Sequence, residues 1–201
     1  MRVFIAVIIL IFSLQSWAKA DDIRDFQIEG MSIGDSLLDF FSEEEIKDNS
    51  KAQKIYKPFG LTTFTSSRSA ELKSKLKQYD YMQIAYMLDD KNYIIIGMSA
   101  AISKNNFEIN ACKKEAKKIS NEIKELFGES VKYQHDKMKK AAGDRSGKSI
   151  SDTRYYIFKD GSFVGVRCSD WSKEMNLKDR LSVDLASKKF HDIMKKAHPQ
   201  H

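Results

Sequence analysis

A β-hairpin over residues 153–168 is the strongest short-range prediction that this sequence allows. Two runs of alternating apolar and polar residues flank Asp160-Gly161, and an Asp-Gly pair there favours a two-residue turn. Such a turn sets the register and places Arg154 opposite Arg167. One face of the hairpin is then apolar. The other face carries two arginines and three aromatic residues: Arg154, Arg167, Tyr156, Phe158 and Phe163.

Further segments have strand composition. Residues 79–88 and 93–102 are dense in aromatic and β-branched side chains and flank Asp-Asp-Lys-Asn, which predicts a second hairpin. Residues 54–65 have strand composition, but their first half is expected to lie at a sheet edge or in a bend, because Pro58 cannot donate a ladder hydrogen bond. Residues 181–185 alternate between apolar and polar side chains. Together with the first hairpin, these segments predict an antiparallel sheet of about five to six strands.

Helical spacing of apolar residues is clearest between Asn105 and Gly128. Residues 33–47 show the same spacing, unless Ser42 starts a separate short helix, and residues 187–197 have one apolar side. Strands and helices in this order predict an α+β fold in which helices pack on one face of the sheet.

The first twenty residues have the pattern of a secretory signal peptide. Arg2 precedes an apolar run over residues 3–14, and Ala18 and Ala20 form a small-residue cleavage site. We therefore expect residues 1–20 to be removed after Ala20, which predicts a periplasmic or secreted protein without a stable membrane anchor. The alternative is an uncleaved anchor, although the run is short for a membrane span.

The remaining residues 21–201 suit one α+β domain. Without the leader, 32 basic residues face 28 acidic ones, a modest positive balance. Residues 129–152 are rich in lysine and interrupted by glycine, which predicts a mobile basic segment made of a frayed helix and a loop. Residues 198–201 are expected to be a disordered tail.

The two cysteines are expected to form a structural disulfide. Cys112 lies on the apolar stripe of the long helix, and Cys168 lies on the apolar side of the predicted hairpin, so both point into one layer. An oxidising compartment favours a bond between them. Two separate buried thiols or a redox-active pair are the alternatives, but the sequence has no Cys-x-x-Cys spacing.

Motifs for catalysis, metals and cofactors are not apparent in the sequence. Residues 143–149 approach a phosphate-binding loop, but only three residues separate the glycines, where that motif has four. A nucleophilic site of Cys112, His135 and Asp136 would require a free, exposed thiol. His198 and His201 have a spacing that could hold a metal ion, but no third ligand lies nearby in the sequence. We expect no cofactor and no metal, and a protein that is not an enzyme.

Two groups of charges are candidates for binding. Like charges directly opposite each other in a strand pair are unfavourable unless an anionic group lies between them, so the hairpin face with Arg154 and Arg167 is the candidate ligand site. An enzyme site around these arginines and Asp170 is the alternative. A further alternative is binding to an anionic surface through the basic side chains of the long helix and its continuation. Glutamates are interleaved with these basic residues, which is typical of a solvated helix face. The basic residues are Lys113, Lys114, Lys117, Lys118, Lys124, Lys132, Lys137, Lys139, Lys140, Arg145 and Lys148.

Three segments resemble small exported proteins of marine alphaproteobacteria, a group without an assigned activity: residues 26–38, Gly147-Lys148-Ser149 before a tyrosine-rich hairpin, and residues 168–171. The resemblance implies a location in the cell envelope and adds no site. The expected function is therefore that of a non-catalytic binding or interaction module. Its expected partner is an envelope protein or a small ligand, and not a nucleic acid.

Overall fold

The computed structural model describes residues 20–50, 57–103, 108–141 and 144–197. The predicted leader, except Ala20, and the predicted tail lie outside these residues, as does the expected helix start at Asn105. The described strands are β1 (Phe59–Thr65), β2 (Tyr81–Met87), β3 (Ile95–Ser103), β4 (Val131–Lys140), β5 (Ile150–Phe158), β6 (Phe163–Asp170) and β7 (Arg180–Ala186). The described α-helices are α1 (Glu43–Ser50), α2 (Ala70–Lys75), α3 (Ile109–Phe127) and α4 (Lys188–Ala197).

The described strands form one antiparallel sheet in the order β1-β2-β3-β7-β6-β5-β4. This confirms the predicted α+β class, with one strand more than the upper end of the expected range. The additional strand is β4, which pairs with β5.

The prediction of a frayed helix and loop over residues 129–152 was wrong for Val131–Lys140, which form β4. This strand lies at the end of the sheet order, and most of its side chains are exposed on both faces. Its sequence therefore lacks the apolar alternation that reveals a half-buried strand. Lysines and the irregular pairing between Asp136 and Lys139 are features that discourage further pairing at a sheet edge.

One face of the sheet, called here the first face, carries the main hydrophobic core. Ile46 of α1, Leu72 of α2 and Ile123 of α3 pack there. They contact a common layer of strand residues that includes Phe64, Ile84, Met98, Val166 and Val183. The long helix ends as predicted at Gly128, which has a φ of +51° and donates its N–H to Lys124.

The disulfide between Cys112 and Cys168 is present and links α3 to β6, with the two Cα atoms 5.8 Å apart. Both residues are buried in the core of the first face. The bond confirms the predicted pairing. It also excludes the nucleophilic site that required a free Cys112.

The opposite face, called here the second face, is covered differently. Of the described helices, α4 packs on it, through Phe190, Ile193 and Met194. Their partners are Phe59, Ala85 and Ile96, which form a small cluster separate from the main core. The helices thus occupy both faces of the sheet, whereas the sequence predicted one.

Gly97 sets the distance between α4 and the sheet. A Cβ atom at this position would lie 2.6 Å from a ring carbon of Phe190, so we expect Gly97→Ala to lower the free energy of unfolding by about 1–3 kcal/mol. Urea unfolding measures the change. Gly165→Ala is the matched control, because its Cβ atom would meet its nearest neighbours at an ordinary 3.6 Å. Equal stability of the two variants would contradict the close packing of Phe190 against Gly97.

Candidate functional site

The turn between β5 and β6 contains one residue more than predicted. Gly161 donates its N–H to the carbonyl of Phe158, and Phe158 donates its N–H to the carbonyl of Ser162. Residues 159–161 therefore form the loop, with Gly161 at a φ of +92°, a common three-residue hairpin geometry. The carboxylate of Asp160 accepts hydrogen bonds from the N–H and hydroxyl of Ser162. These bonds stabilise the longer loop.

The longer loop shifts the register by one residue. Arg154 lies opposite Val166, and Arg167 lies opposite Thr153, so the predicted pairing of the two arginines was wrong. A shift of one residue exchanges the faces of one strand relative to the other. The predicted face was correct for Cys168 on β6. The side chains of β5 point to the face opposite the predicted one.

The five candidate ligand-binding residues are consequently divided between the two faces. Tyr156 and Phe158 are buried in the core of the first face, and Arg154 shares that face with them. Arg167 and Phe163 lie on the second face and remain half-buried. The structure does not bring the five together into one site.

On the first face, Arg154 belongs to a buried group of charges. Its Nη1 lies 3.0 Å from Oδ1 of Asp152, and Nε2 of His135 lies 3.0 Å from the same oxygen. The side chain of Asp152 is 1% exposed and that of Arg154 is 10% exposed. Nη1 has no aligned hydrogen bond among the described residues, so its attraction to Asp152 is Coulombic. This arrangement neutralises buried charge and leaves little surface for a ligand.

The second face contains two adjoining pockets beside α4. One, of about 260 Å³, lies over the central strands, and the other, of about 420 Å³, lies over β4, β5 and β6. Phe163 and Met194 line both pockets. We call the two pockets together the second-face groove. Its remaining lining is mixed, and the apolar part includes Leu61, Ala85, Ile157 and Phe190.

A polar group lies on the floor of the groove. Ser99 donates its hydroxyl to Oδ1 of Asp184 at 2.5 Å, and Nη2 of Arg167 lies 3.4 Å from Oδ2. The charge of Asp184 raises the pKa of Arg167 above its ordinary value, which keeps the guanidinium protonated. The groove thus combines apolar walls with one ion pair whose guanidinium is the more exposed partner, a composition that suits a ligand site.

Aromatic contacts hold Phe163 between the two pockets. Its ring makes edge contacts with Tyr155 at 5.6 Å and with His191 at 5.4 Å between ring centroids. Nδ1 of His191 lies 3.2 Å from the carbonyl oxygen of Gly161, which links α4 to the hairpin turn. Phe163 is therefore positioned from both sides.

The remaining sequence candidates do not assemble a site. Asp170 lies at the far end of β6, and its pKa is raised by burial and then by the charge of Asp179. Asp170 pairs with Ile150, so the three residues of the alternative enzyme site, Asp170, Arg154 and Arg167, are dispersed. Within the described ranges, no three His, Cys, Asp or Glu side chains are grouped to hold a metal ion.

Residues 144–149, from the segment that resembles a phosphate-binding loop, are held in place by hydrogen bonds to Asp144. The carboxylate of Asp144 accepts from Ser149, Ser146 and Ser172. Several hydrogen bonds hold the pKa of Asp144 well below its ordinary value, and the one from the Ser149 hydroxyl contributes most. Because Ser149 is also buried, residues 144–149 form a closed polar turn, and this described part of the loop offers no cradle for phosphate.

Three residues of the groove were not identified from the sequence: Ser99, Asp184 and Met194. Strand alternation placed Asp184 on the face opposite Leu181, Val183 and Leu185, which is normally the solvent side. A polar residue is ordinary at such a position, so the sequence contained no signal that Asp184 belongs to a site.

Comparisons with known proteins add no assignment. No protein-family model matches the chain, and neither the curated proteins nor the solved structures contain a significant match. None of the helices in the described part of the chain is long and apolar enough to cross a membrane.

Proposed function

We propose that this protein is an exported, non-catalytic module that binds a small, largely apolar ligand in the second-face groove. Export is supported by the leader pattern of residues 1–20. The disulfide between Cys112 and Cys168 supports it as well, because such bonds persist mainly in oxidising compartments.

The observation that carries the proposal is the junction of the two pockets at Phe163 and Met194. Together the pockets reach the size of small-molecule sites. The side chains at the junction are half-buried although they are largely apolar. A ligand that covers them removes apolar surface from water, which provides the driving force for binding.

We expect the protein to bind a neutral naphthylamine dye whose fluorescence rises in apolar surroundings. Met194→Glu places a charge at the junction of the two pockets, and we expect it to weaken dye binding by at least about tenfold, because the carboxylate would lose hydration when the dye binds. Fluorescence titration measures the dissociation constant.

Leu126→Glu is the matched control. Leu126 is an exposed apolar residue of α3, which packs on the first face, and its substitution should leave dye affinity unchanged within about twofold. Equal weakening by both substitutions, or no dye binding by the wild type, would show that the groove is not the site.

A further inference from the structure

We infer that the ligand of the second-face groove is an amphiphilic carboxylate whose anionic head binds Arg167, an inference that rests on the proposed function. The groove offers apolar walls along Phe163, Ile157 and Met194. It also offers one guanidinium that faces the smaller pocket. A molecule that satisfies both parts has an alkyl or aryl body and one acidic group.

The exposure of the ion pair favours an anion. The side chain of Arg167 is 38% exposed, whereas that of Asp184 is 17% exposed. More of the cation than of the carboxylate is therefore accessible to a ligand. Opposite charge is the simplest complement to such a surface.

The contact between Arg167 and Asp184 leaves donor capacity for a ligand. Its 3.4 Å separation is longer than the 2.7–2.9 Å of a charge-assisted hydrogen bond. Oδ2 of Asp184 accepts no hydrogen bond within the described part of the chain. Since a guanidinium has five N–H donors in a planar fork, a ligand carboxylate is able to form the bidentate pair that Asp184 does not.

The charges around the groove also favour an anionic ligand. Lys195 and His191 line the larger pocket. Asp136, on the opposite wall, forms an ion pair with Lys139 at 2.8 Å. Lys195 therefore adds a positive charge beside the larger pocket, where the carboxylate of Asp136 is already paired with Lys139.

A free, monomeric amphiphile fits the groove better than a lipid held in a bilayer. The apolar walls lie between the sheet and α4, so the apolar body of the ligand has to leave its own phase to reach them. We therefore expect monomeric fatty acids of medium chain length to bind, and vesicles of anionic phospholipid not to bind.

Displacement of the naphthylamine dye by decanoate and by decanol tests the inference. Arg167→Gln should weaken decanoate binding by about tenfold and leave decanol binding within about twofold of wild type. Asp184→Asn should strengthen decanoate binding, because it removes the competing carboxylate. Arg167→Lys should give a decanoate affinity between those of wild type and Arg167→Gln, because an ammonium keeps the charge but cannot form the bidentate pair. Lys189→Gln, an exposed charge of α4, is the control for general electrostatics.

The outcomes separate the inference from the proposed function. If the dye and decanol bind but Arg167→Gln weakens decanoate and decanol binding alike, the inferred acidic head group is wrong. The proposal of an apolar binding groove is then still supported. If the dye and both amphiphiles fail to bind, both are wrong. Sedimentation of the protein with anionic vesicles, without binding of monomeric decanoate, would overturn the inference in favour of a membrane surface. Thermal unfolding of each variant confirms that it is folded.

Discussion

Replacing both Cys112 and Cys168 by alanine is expected to lower the free energy of unfolding by about 4 kcal/mol on the chain-entropy model. The two cysteines are separated by 56 residues, so their bond closes a long loop and restricts the unfolded chain. Such a loss is a large part of the net stability of one domain. Urea unfolding of the oxidised wild type and of the double variant measures the difference.

The single variants provide the control. Removing either cysteine abolishes the same bond, so each single substitution should cost about as much as the double one, because the two sites are coupled through that bond. The wild type under reducing conditions should approach the same value. A double variant within about 1 kcal/mol of the oxidised wild type would contradict the prediction.

Asp152→Asn is expected to lower the free energy of unfolding by about 3–5 kcal/mol. The substitution keeps the shape of the side chain but removes the negative charge 3.0 Å from Arg154 and 3.0 Å from His135. The guanidinium of Arg154 is then buried without a counter-charge, which is strongly unfavourable. Chemical unfolding by circular dichroism measures the loss.

Two further variants separate the charge effect from general disruption of β5 and β4. Asp152→Asn combined with Arg154→Met should recover much of the stability, because no unpaired charge remains in the interior. Asp136→Asn removes a carboxylate from a more exposed ion pair with Lys139, and its effect should stay below about 1 kcal/mol. A loss in the double variant as large as in Asp152→Asn would contradict the proposed role of the buried pair.

The groove could be predicted from the sequence only in part. Arg167 and Phe163 were identified through the predicted pairing of Arg167 with Arg154 and the aromatic residues on that face, although the structure pairs Arg167 with Thr153 instead. Their partners Ser99, Asp184 and Met194 come from β3, β7 and α4, which are far apart along the chain. No local pattern reports that these elements meet.

The edge strand β4 illustrates the same limit. Its residues pair through backbone hydrogen bonds with β5, while their side chains remain mostly exposed. Periodic burial is the main signal of secondary structure in a sequence. A strand that buries little therefore looks like an irregular basic segment.

The sequence by itself determined the α+β class, the long helix that ends at Gly128, and the pairing of Cys112 with Cys168. Each follows from composition, from the periodicity and order of the segments, or from the oxidising compartment that the predicted leader implies. The tertiary structure decided which side chains share a face. A strand has a period of two residues, so the one additional residue in the loop before Ser162 was enough to place Arg154 in the core and leave Arg167 in the groove.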